Sequence, residues 1–550
     1  MKRTLSMMVM LIGMMVFPQF CLALEDGNSY ADGAPAEDYD FRFSIVKDSD
    51  GESYAVLTEV NEGVKDLTVP DYVKAYSWKD GLYEVSSYAV RKMDLSSTSS
   101  DRKNSLESLT LGSFVEEVAN LNSPILLKKV EMSSVKKVGR NAFSGCSSLA
   151  SVEIPEAVEI GSGAFKNCEN LEKVVLGPKL EKIGLSAFSG AQKLTSIEIS
   201  PSVKSIGTFA FQNCDLAEVV LPEGLQEMGA DAFSGNVRLK SIHIPAQVAS
   251  LQAFARNCPA LESLTVDPAN ACYESSGNTI VEKATKTVVQ GCSLSQIPEG
   301  VEHIAYAAFT GCSALKEVVL PESLRTLEDY AFWDCASLQS LFIPKNVESV
   351  SEYSLIGCSR LESIEVSGEN KTFDSREGCQ ALVKTATNEL LFGGSKSTIP
   401  EGIAEIGEWA FNGNEALTSI TIPSSVEKIG QYAFYGCNNL TDVYSLIGSP
   451  TAFYETAFSP LEYDEKTGIT LYTNKVLHVL PGMRDTYCQT KGWSNFQCIF
   501  GDIGNPDQVE AVPFEENSIQ APLYDLSGRQ LPQKPTKGIY IQGGKKVMSK

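Results

Sequence analysis

The sequence predicts a β-rich repeat solenoid. An Ala-Phe pair, or a close equivalent, recurs along most of the chain, ending at Phe143, Phe165, Phe188, Phe211, Phe233, Phe254, Phe309, Phe332, Phe411, Phe434 and Phe458, with Leu355 in the same slot. Each pair follows a segment that alternates like a strand and stops at a proline, as in Leu417-Thr-Ser-Ile420-Thr-Ile422-Pro423. Proline ends the strand because it has no N–H to give to a ladder. A unit of 21 to 24 residues, the step between most neighbouring pairs, is too short to bury an apolar side alone. It must therefore stack on its neighbours.

From the N-terminus, residues 1–23 read as a cleaved secretory signal. Lys2 and Arg3 precede an apolar run shorter than the ~20 residues a membrane span needs, and small residues near Ala23 precede Glu25 and Asp26. No later segment is apolar and long enough to span a bilayer, so no membrane span is expected once the signal is removed. The formal net charge is −23, and aromatic residues make up 9% of the chain. Such a surface repels nucleic acid and anionic lipid, while the aromatic and apolar content is that of a packed protein.

Residues 24–105 read as an N-terminal cap with a degenerate first repeat, around LTVPDYV at Leu67 and YEVSSYAV at Tyr83. The regular repeats occupy 106–458. Within a unit the pattern is L-x-x-I-x-I-P, a few polar residues, then V-x-x-I-G-x-x-A-F-x-x-C. In the copy ending at Phe434, Leu417, Ile420, Ile422, Val426, Ile429 and Phe434 point inward, and Gly430 permits a tight corner. Two intervals of 55 and 56 residues carry YESSGNTIVEKATKTVVQGC from Tyr273 and FDSREGCQALVKTATNELLFGG from Phe373. Each predicts a two-stranded excursion that returns to the same IPEG corner.

The L-x-x-I-x-I-P and I-G-x-x-A-F-x-x-C blocks resemble the BspA-like leucine-rich repeats of bacterial surface proteins, over roughly Leu106 to Phe458. The resemblance implies a right-handed leucine-rich-repeat coil that is secreted or displayed at the cell surface or the outer-membrane exterior. It implies binding, as an adhesin or interaction scaffold, to protein or glycan on host or neighbouring cells. Residues 459–500, with LYTNKVLHVLPGMRDTYCQTKGWSNFQCI from Leu471, resemble the terminal unit of such repeat proteins, a resemblance that implies that Trp493, Phe496 and Ile499 cover the open edge of the last coil. An acidic linker, 501–519, leads to residues 520–550, a small C-terminal β segment. There Tyr524-Asp-Leu-Ser-Gly528-Arg529 and Lys537-Gly-Ile-Tyr540 resemble the end of the sorting domains recognised by the type IX secretion machinery.

Eight of the fourteen cysteines (Cys146, Cys168, Cys214, Cys258, Cys312, Cys335, Cys358 and Cys437) follow the Ala-Phe pair at one slot, which elsewhere holds Ala191, Asn236 or Asn414. A slot that accepts Cys, Asn or Ala wants a small residue that can be buried, so these thiols are structural. The pairs best placed to form disulfides are Cys488 with Cys498 and, next, Cys272 with Cys292. The three histidines, His243, His303 and His478, have neither zinc spacing nor a nucleophile motif beside them. Asp48-Ser-Asp50-Gly51 lacks the downstream ligands of a calcium loop and reads as a hairpin turn, and Gly161-Ser-Gly163 as a repeat corner. No catalytic residue, cofactor or metal site is assigned, and the chain is not read as an enzyme.

Side chains alternate in a strand, so one residue of each L-x-x-I-x-I segment faces outward. Stacking is expected to align Glu153, Val175, Glu198, Val220, His243, Thr265, Val319, Phe342, Glu365, Thr421 and Tyr444 into one row. Solvent favours Glu and Thr there, so Val319, Phe342 and Tyr444, with Val175, Val220 and His243, are the candidate binding residues. Strand propensity alone is the other reading of the same residues. A surface spacer that binds nothing and a glycan-binding accessory protein remain the alternatives to an adhesin.

Overall fold

A computed structural model describes residues 34–35, 39–79, 82–96, 105–121, 126–464, 469–503, 523–524, 530–531, 538–542 and 545–549. The proposed signal, residues 1–23, and residues 504–519 of the linker lie outside these. The chain divides into two compact units, Met1–Phe233 and Ser234–Lys550, and each is a β-solenoid.

In the first unit two antiparallel hairpins lead into the coils. Phe41–Lys47 pairs with Ser53–Val60, and Tyr72–Lys79 with Leu82–Asp94. Asp48 closes the first turn: its Oδ1 accepts the N–H groups of Asp50 and Glu52, and Arg91 bridges Asp48 and Glu52. That is a hairpin turn, not an ion loop. The far half of Leu82–Asp94 then runs parallel to Glu117–Ala119 and starts a ladder of short strands. The ladder continues through Lys137–Val138, Glu159–Ile160, Lys182–Ile183, Ser205–Ile206 and Glu227–Met228, one strand per coil. A second parallel ladder, Asp66–Thr68, Ser108–Thr110 and Lys129–Glu131, joins the Leu67 segment to the stack as a coil.

The Ala-Phe segment forms a third side. Phe143, Phe165, Phe188 and Phe211 each donate their N–H to the alanine carbonyl of the next coil, at 2.6–2.7 Å. Their rings stack at 5.3 to 5.4 Å with interplanar angles of 12° or less, continuing to Phe233. The backbone bonds hold one phenylalanine per coil at one height, so the rings form a continuous buried column.

The corner glycines act differently from the expectation for Gly430. A Cβ on Gly430 would lie 2.5 Å from the Glu408 N and 2.6 Å from the Gly407 C of the preceding coil, and its φ is not positive. Glycine is required there because two backbones touch. The left-handed conformation falls two residues later, at Asn141, Ser186, Asp231, Trp409 and Tyr432 among others, with φ between 50° and 60°.

The second unit repeats this plan, with Leu417, Ile420, Ile422, Val426, Ile429 and Phe434 all buried. Both long intervals are three-stranded meanders, not two-stranded excursions. Tyr273–Ser276, Thr279–Glu282 and Thr287–Gln290 are antiparallel, and the third strand enters the parallel ladder beside His303–Ile304. Phe373–Asp374, Ala381–Lys384 and Glu389–Gly393 do the same beside Glu405–Ile406. The third strand gives the short strand of the coil that follows a partner on the side facing the meander. Each meander begins at an asparagine, Asn270 or Asn370. Its Nδ2 donates to two carbonyls of the coil before, and its Oδ1 accepts two N–H groups of the meander. Each ends at a glycine in the phenylalanine slot: Gly291 and Gly393 donate to Ala308 and Ala410 at 2.8 Å. A Cβ on either would lie within 2.3 Å of the next phenylalanine ring.

The last coil is covered by Leu461–Asp464, Ile469–Val479 and Phe496–Phe500. Trp493, Phe496 and Ile499 are buried there. Farther on, Leu523–Tyr524, Gln530–Leu531, Gly538–Gln542 and Lys545–Ser549 form a four-stranded antiparallel sheet.

Candidate functional site

The cysteine slot is structural. Cys168, Cys214, Cys335, Cys358 and Cys437 are buried, and each thiol donates to the carbonyl of the phenylalanine one coil earlier, at 2.9 to 3.3 Å. Asn414 does the equivalent work by donating to the Leu361 carbonyl at 2.7 Å. Burial pushes the thiols of Cys214, Cys358 and Cys437 up to about 12, which removes them as nucleophiles at neutral pH. All the cysteines among the described residues are free, so neither Cys488 with Cys498 nor Cys272 with Cys292 forms a disulfide. Cys488 is exposed on a short helix whereas Cys498 is buried in the closing sheet.

Past the Cys437 coil the donor of the Asn414 kind, to the leucine carbonyl three residues after the slot, comes from Lys475. It is 2% exposed, and its Nζ donates to the Cys437 carbonyl at 3.0 Å and the Leu440 carbonyl at 2.7 Å. Burial lowers its pKa to about 8. The charged form is penalised in the folded state, so between about 8 and 10.5 the unfolded chain binds more protons and stability rises with pH. The full effect is about 3 kcal/mol. Urea unfolding of the protein and of Lys475→Met is expected to show the stability difference moving in favour of the lysine by that order from pH 7 to pH 10. A pH-independent difference would mean the amine is not desolvated.

The outward row is real but not continuous. Glu153 lies beside Val175, His243 beside Thr265, Phe342 beside Glu365, and Thr421 beside Tyr444, each in a short parallel pairing. Glu198, Val220 and Val319 lie outside regular strands. A bridge between Glu317 and Ser340 sets the register that brings Val319 alongside Phe342. Val319 is 81% exposed and Phe342 47%. Val175 and Val220 are exposed in the first unit, with the Glu198 coil between them. His243 is exposed, its Nδ1 2.9 Å from Thr265 Oγ1.

Tyr444 differs from the expectation. It is half-buried, and its ring stacks on His478 at 4.5 Å and 15°. The row therefore runs Thr421, Tyr444, His478, Phe500 across the closing sheet. His478 sits between two carboxylates: its Nδ1 lies 2.9 Å from Asp502 Oδ1, and its Nε2 3.3 Å from Asp442 Oδ1. Sequence reading missed this pair because a hairpin separates His478 from the regular repeat. The alternation Leu477-His478-Val479 was the available signal. Among the described residues no group of His, Cys, Asp or Glu is arranged to hold a metal ion, and no helix is long and apolar enough to cross a membrane.

Several solved structures are similar to the chain. A leucine rich cell surface protein of Faecalibacterium prausnitzii is 22% identical, with 76% of this chain and 96% of that chain covered and a TM-score of 0.46. A leucine-rich repeat protein of Bacteroides ovatus is 21% identical over 76% of this chain and 98% of its own, with a TM-score of 0.36. The pneumococcal vaccine antigen PcpA is 15% identical over 85% and 97%, with a TM-score of 0.39. No curated protein matches. The family described as BspA type leucine rich repeat region, in six copies, matches residues 78–195, 114–240, 158–276, 283–382 and 393–467. These stretches take in the Ala-Phe coils of both units and part of each meander, and the chain belongs to the BspA type leucine-rich repeat family.

Proposed function

We propose that the protein is a secreted or surface-displayed binding protein, an adhesin or interaction scaffold, and not an enzyme. Its partner is a protein on a host or neighbouring cell. The observation that carries this reading is the pair Val319 and Phe342, at 81% and 47% exposure on adjoining coils. Two large apolar side chains left in water side by side, between polar His243 and Thr265 before them and Glu365 after, form the kind of exposed cluster that anchors partners. Residues 1–23 act as the export signal and 520–550 as the sorting-like end, which places the repeats 106–458, with their flanking caps 24–105 and 459–500, outside the cell. The leucine rich cell surface protein of Faecalibacterium prausnitzii supports that location by analogy.

The test is adhesion of the labelled protein to epithelial cell layers and to immobilised extracellular-matrix protein. A Val319→Thr, Phe342→Thr double variant keeps strand propensity, so its melting temperature is expected to stay unchanged. Its adhesion is expected to fall roughly tenfold or more, as for the loss of central apolar anchors. Full adhesion by the variant would move the contact elsewhere. An absence of adhesion by the native protein would favour a spacer.

A further inference from the structure

A different edge of the second unit carries a column of aromatic rings that the fold does not require. The slot two residues before the buried phenylalanine holds Tyr330, Tyr353, Trp409 and Tyr432 in coils that follow one another. The Tyr353 and Trp409 coils touch at the turn after the Ala-Phe pair, where Glu415 N–H donates to Ser359 O at 3.1 Å and Asn414 to Leu361 O, while at the corner the third meander strand, Glu389–Gly393, lies beside the Trp409 coil and divides the column into two stacked pairs. Tyr330 stacks on Tyr353 at 5.6 Å and 27°, and Trp409 on Tyr432 at 4.2 Å and 19°. Tyr306 and Tyr435 meet this column edge-on, at 83° and 89°, and are 51% and 45% exposed.

The backbone makes this choice of residue costly. Tyr330, Trp409 and Tyr432 have φ of 59°, 60° and 59°, a left-handed conformation that bulky side chains avoid. In the first unit the same slot holds Asn141, Gly163, Ser186, Phe209 and Asp231, with one aromatic among the five, and Asn, Asp and Gly take that conformation with little strain. Three large aromatics in a slot better suited to asparagine, in part exposed to solvent, are a surface feature and not a core one.

Carboxylates accompany the rings. The residue before each of three column members is acidic: Asp329, Glu352 and Glu408. None of the three takes part in an ion pair among the described residues, although Lys286, Glu302, Arg325 and Glu348, on a neighbouring stripe, alternate in sign and pair. Asp329 and Glu352 lie on adjoining coils, near the ~4.8 Å spacing of adjacent strands, and like charges at that distance repel one another unless a cation is brought to them. The ring faces of the column are largely covered by their own stacking, which leaves little flat surface for a sugar. The cations near this edge are Lys384, which lines the same hollow as Glu352, Lys428, which feels the charge of Glu408 although it pairs with Glu405, and Arg256, which lies over the Tyr306 ring, 5.9 Å from its centroid.

We propose that this edge is a second binding surface, which docks an extended, arginine-rich polypeptide segment of a partner protein. Guanidinium groups bind the Asp329, Glu352 and Glu408 carboxylates and lie against the exposed rings at either side.

The probe is a fluorescein-labelled twelve-residue peptide of alternating arginine and serine, followed by fluorescence anisotropy with the full chain at physiological salt. Asp329→Asn, Glu352→Gln and Glu408→Gln together keep side-chain shape, and this triple variant is expected to bind at least tenfold more weakly. A control of equal charge change on the sheet row, Glu153→Gln, Glu198→Gln and Glu365→Gln, is expected to change binding less than twofold. Trp409→Leu with Tyr432→Leu is expected to weaken the arginine peptide more than a lysine peptide of the same length. Equal losses in the two triple variants would reduce the effect to general attraction by an acidic protein and overturn the proposal. So would no binding by the native chain. Binding of an uncharged glucose oligosaccharide that Trp409→Leu abolishes, with the peptide unaffected, would overturn it in favour of a glycan surface.

Discussion

Phe434→Ala is expected to lower the stability of the protein by about 3–5 kcal/mol, as for other fully buried aromatics cut back to alanine. Phe434 is 0% exposed and stacks on Phe411 at 5.1 Å and on Phe458 at 4.7 Å. Its N–H donates to the Ala457 carbonyl at 2.7 Å, so the backbone cannot drift inward to refill the space. The cavity therefore persists, and its lining loses contacts on both sides. Urea unfolding followed by circular dichroism measures the loss. A midpoint unchanged by the substitution would mean that the rings do not form a load-sharing column. Because coils contact chiefly their neighbours, a broken coil is also expected to divide the transition, with the closing sheet lost first.

Trp493→Ala is expected to cost a similar 3–5 kcal/mol by a different route. Its ring meets Phe453 at 4.8 Å and Tyr487 at 5.0 Å, and its Nε1 donates to the Thr451 carbonyl at 3.0 Å. Truncation opens a cavity and leaves that carbonyl without its donor, in the structure that shields the last coil from water. Trp493→Phe separates the two contributions, since it restores most of the packing but not the hydrogen bond; it is expected to recover more than half of the loss. Hydrogen exchange gives the location: protection is expected to fall first in Asp442–Ser445 and Ile469–Val479, the strands under the cap. Uniform loss of protection across the second unit would instead mean that the cap and the coils unfold as one.

The candidate sites were legible to different degrees. Exposure of Val319 and Phe342 followed from alternation alone, because neighbouring Leu320 and Ile343 must face the core. Tyr444 followed the same rule, yet its ring is covered by His478, which a hairpin carries in from outside the repeat. The aromatic column went unnoticed because Tyr330, Tyr353, Trp409 and Tyr432 are dispersed in sequence and occupy a variable slot. Only coil stacking sets them side by side.

The sequence by itself determined the coil. A short unit with an alternating strand, a proline stop, a corner that is glycine in most copies and one buried ring has a single way to bury its apolar side, and repetition removes the ambiguity that one copy leaves. It also determined that the cysteine slot is structural, since thiol, amide and methyl share it. The tertiary structure decided what depends on the neighbour of a residue in space. It made the long intervals three-stranded, with the third strand as a partner for the short strand of the next coil. It required glycine at Gly430 for contact between backbones and not for a left-handed turn. It gave Lys475 the place that Asn414 takes earlier in the stack, since buried carbonyls at the end of a stack need a donor from somewhere, and the chain that crosses them last provides it.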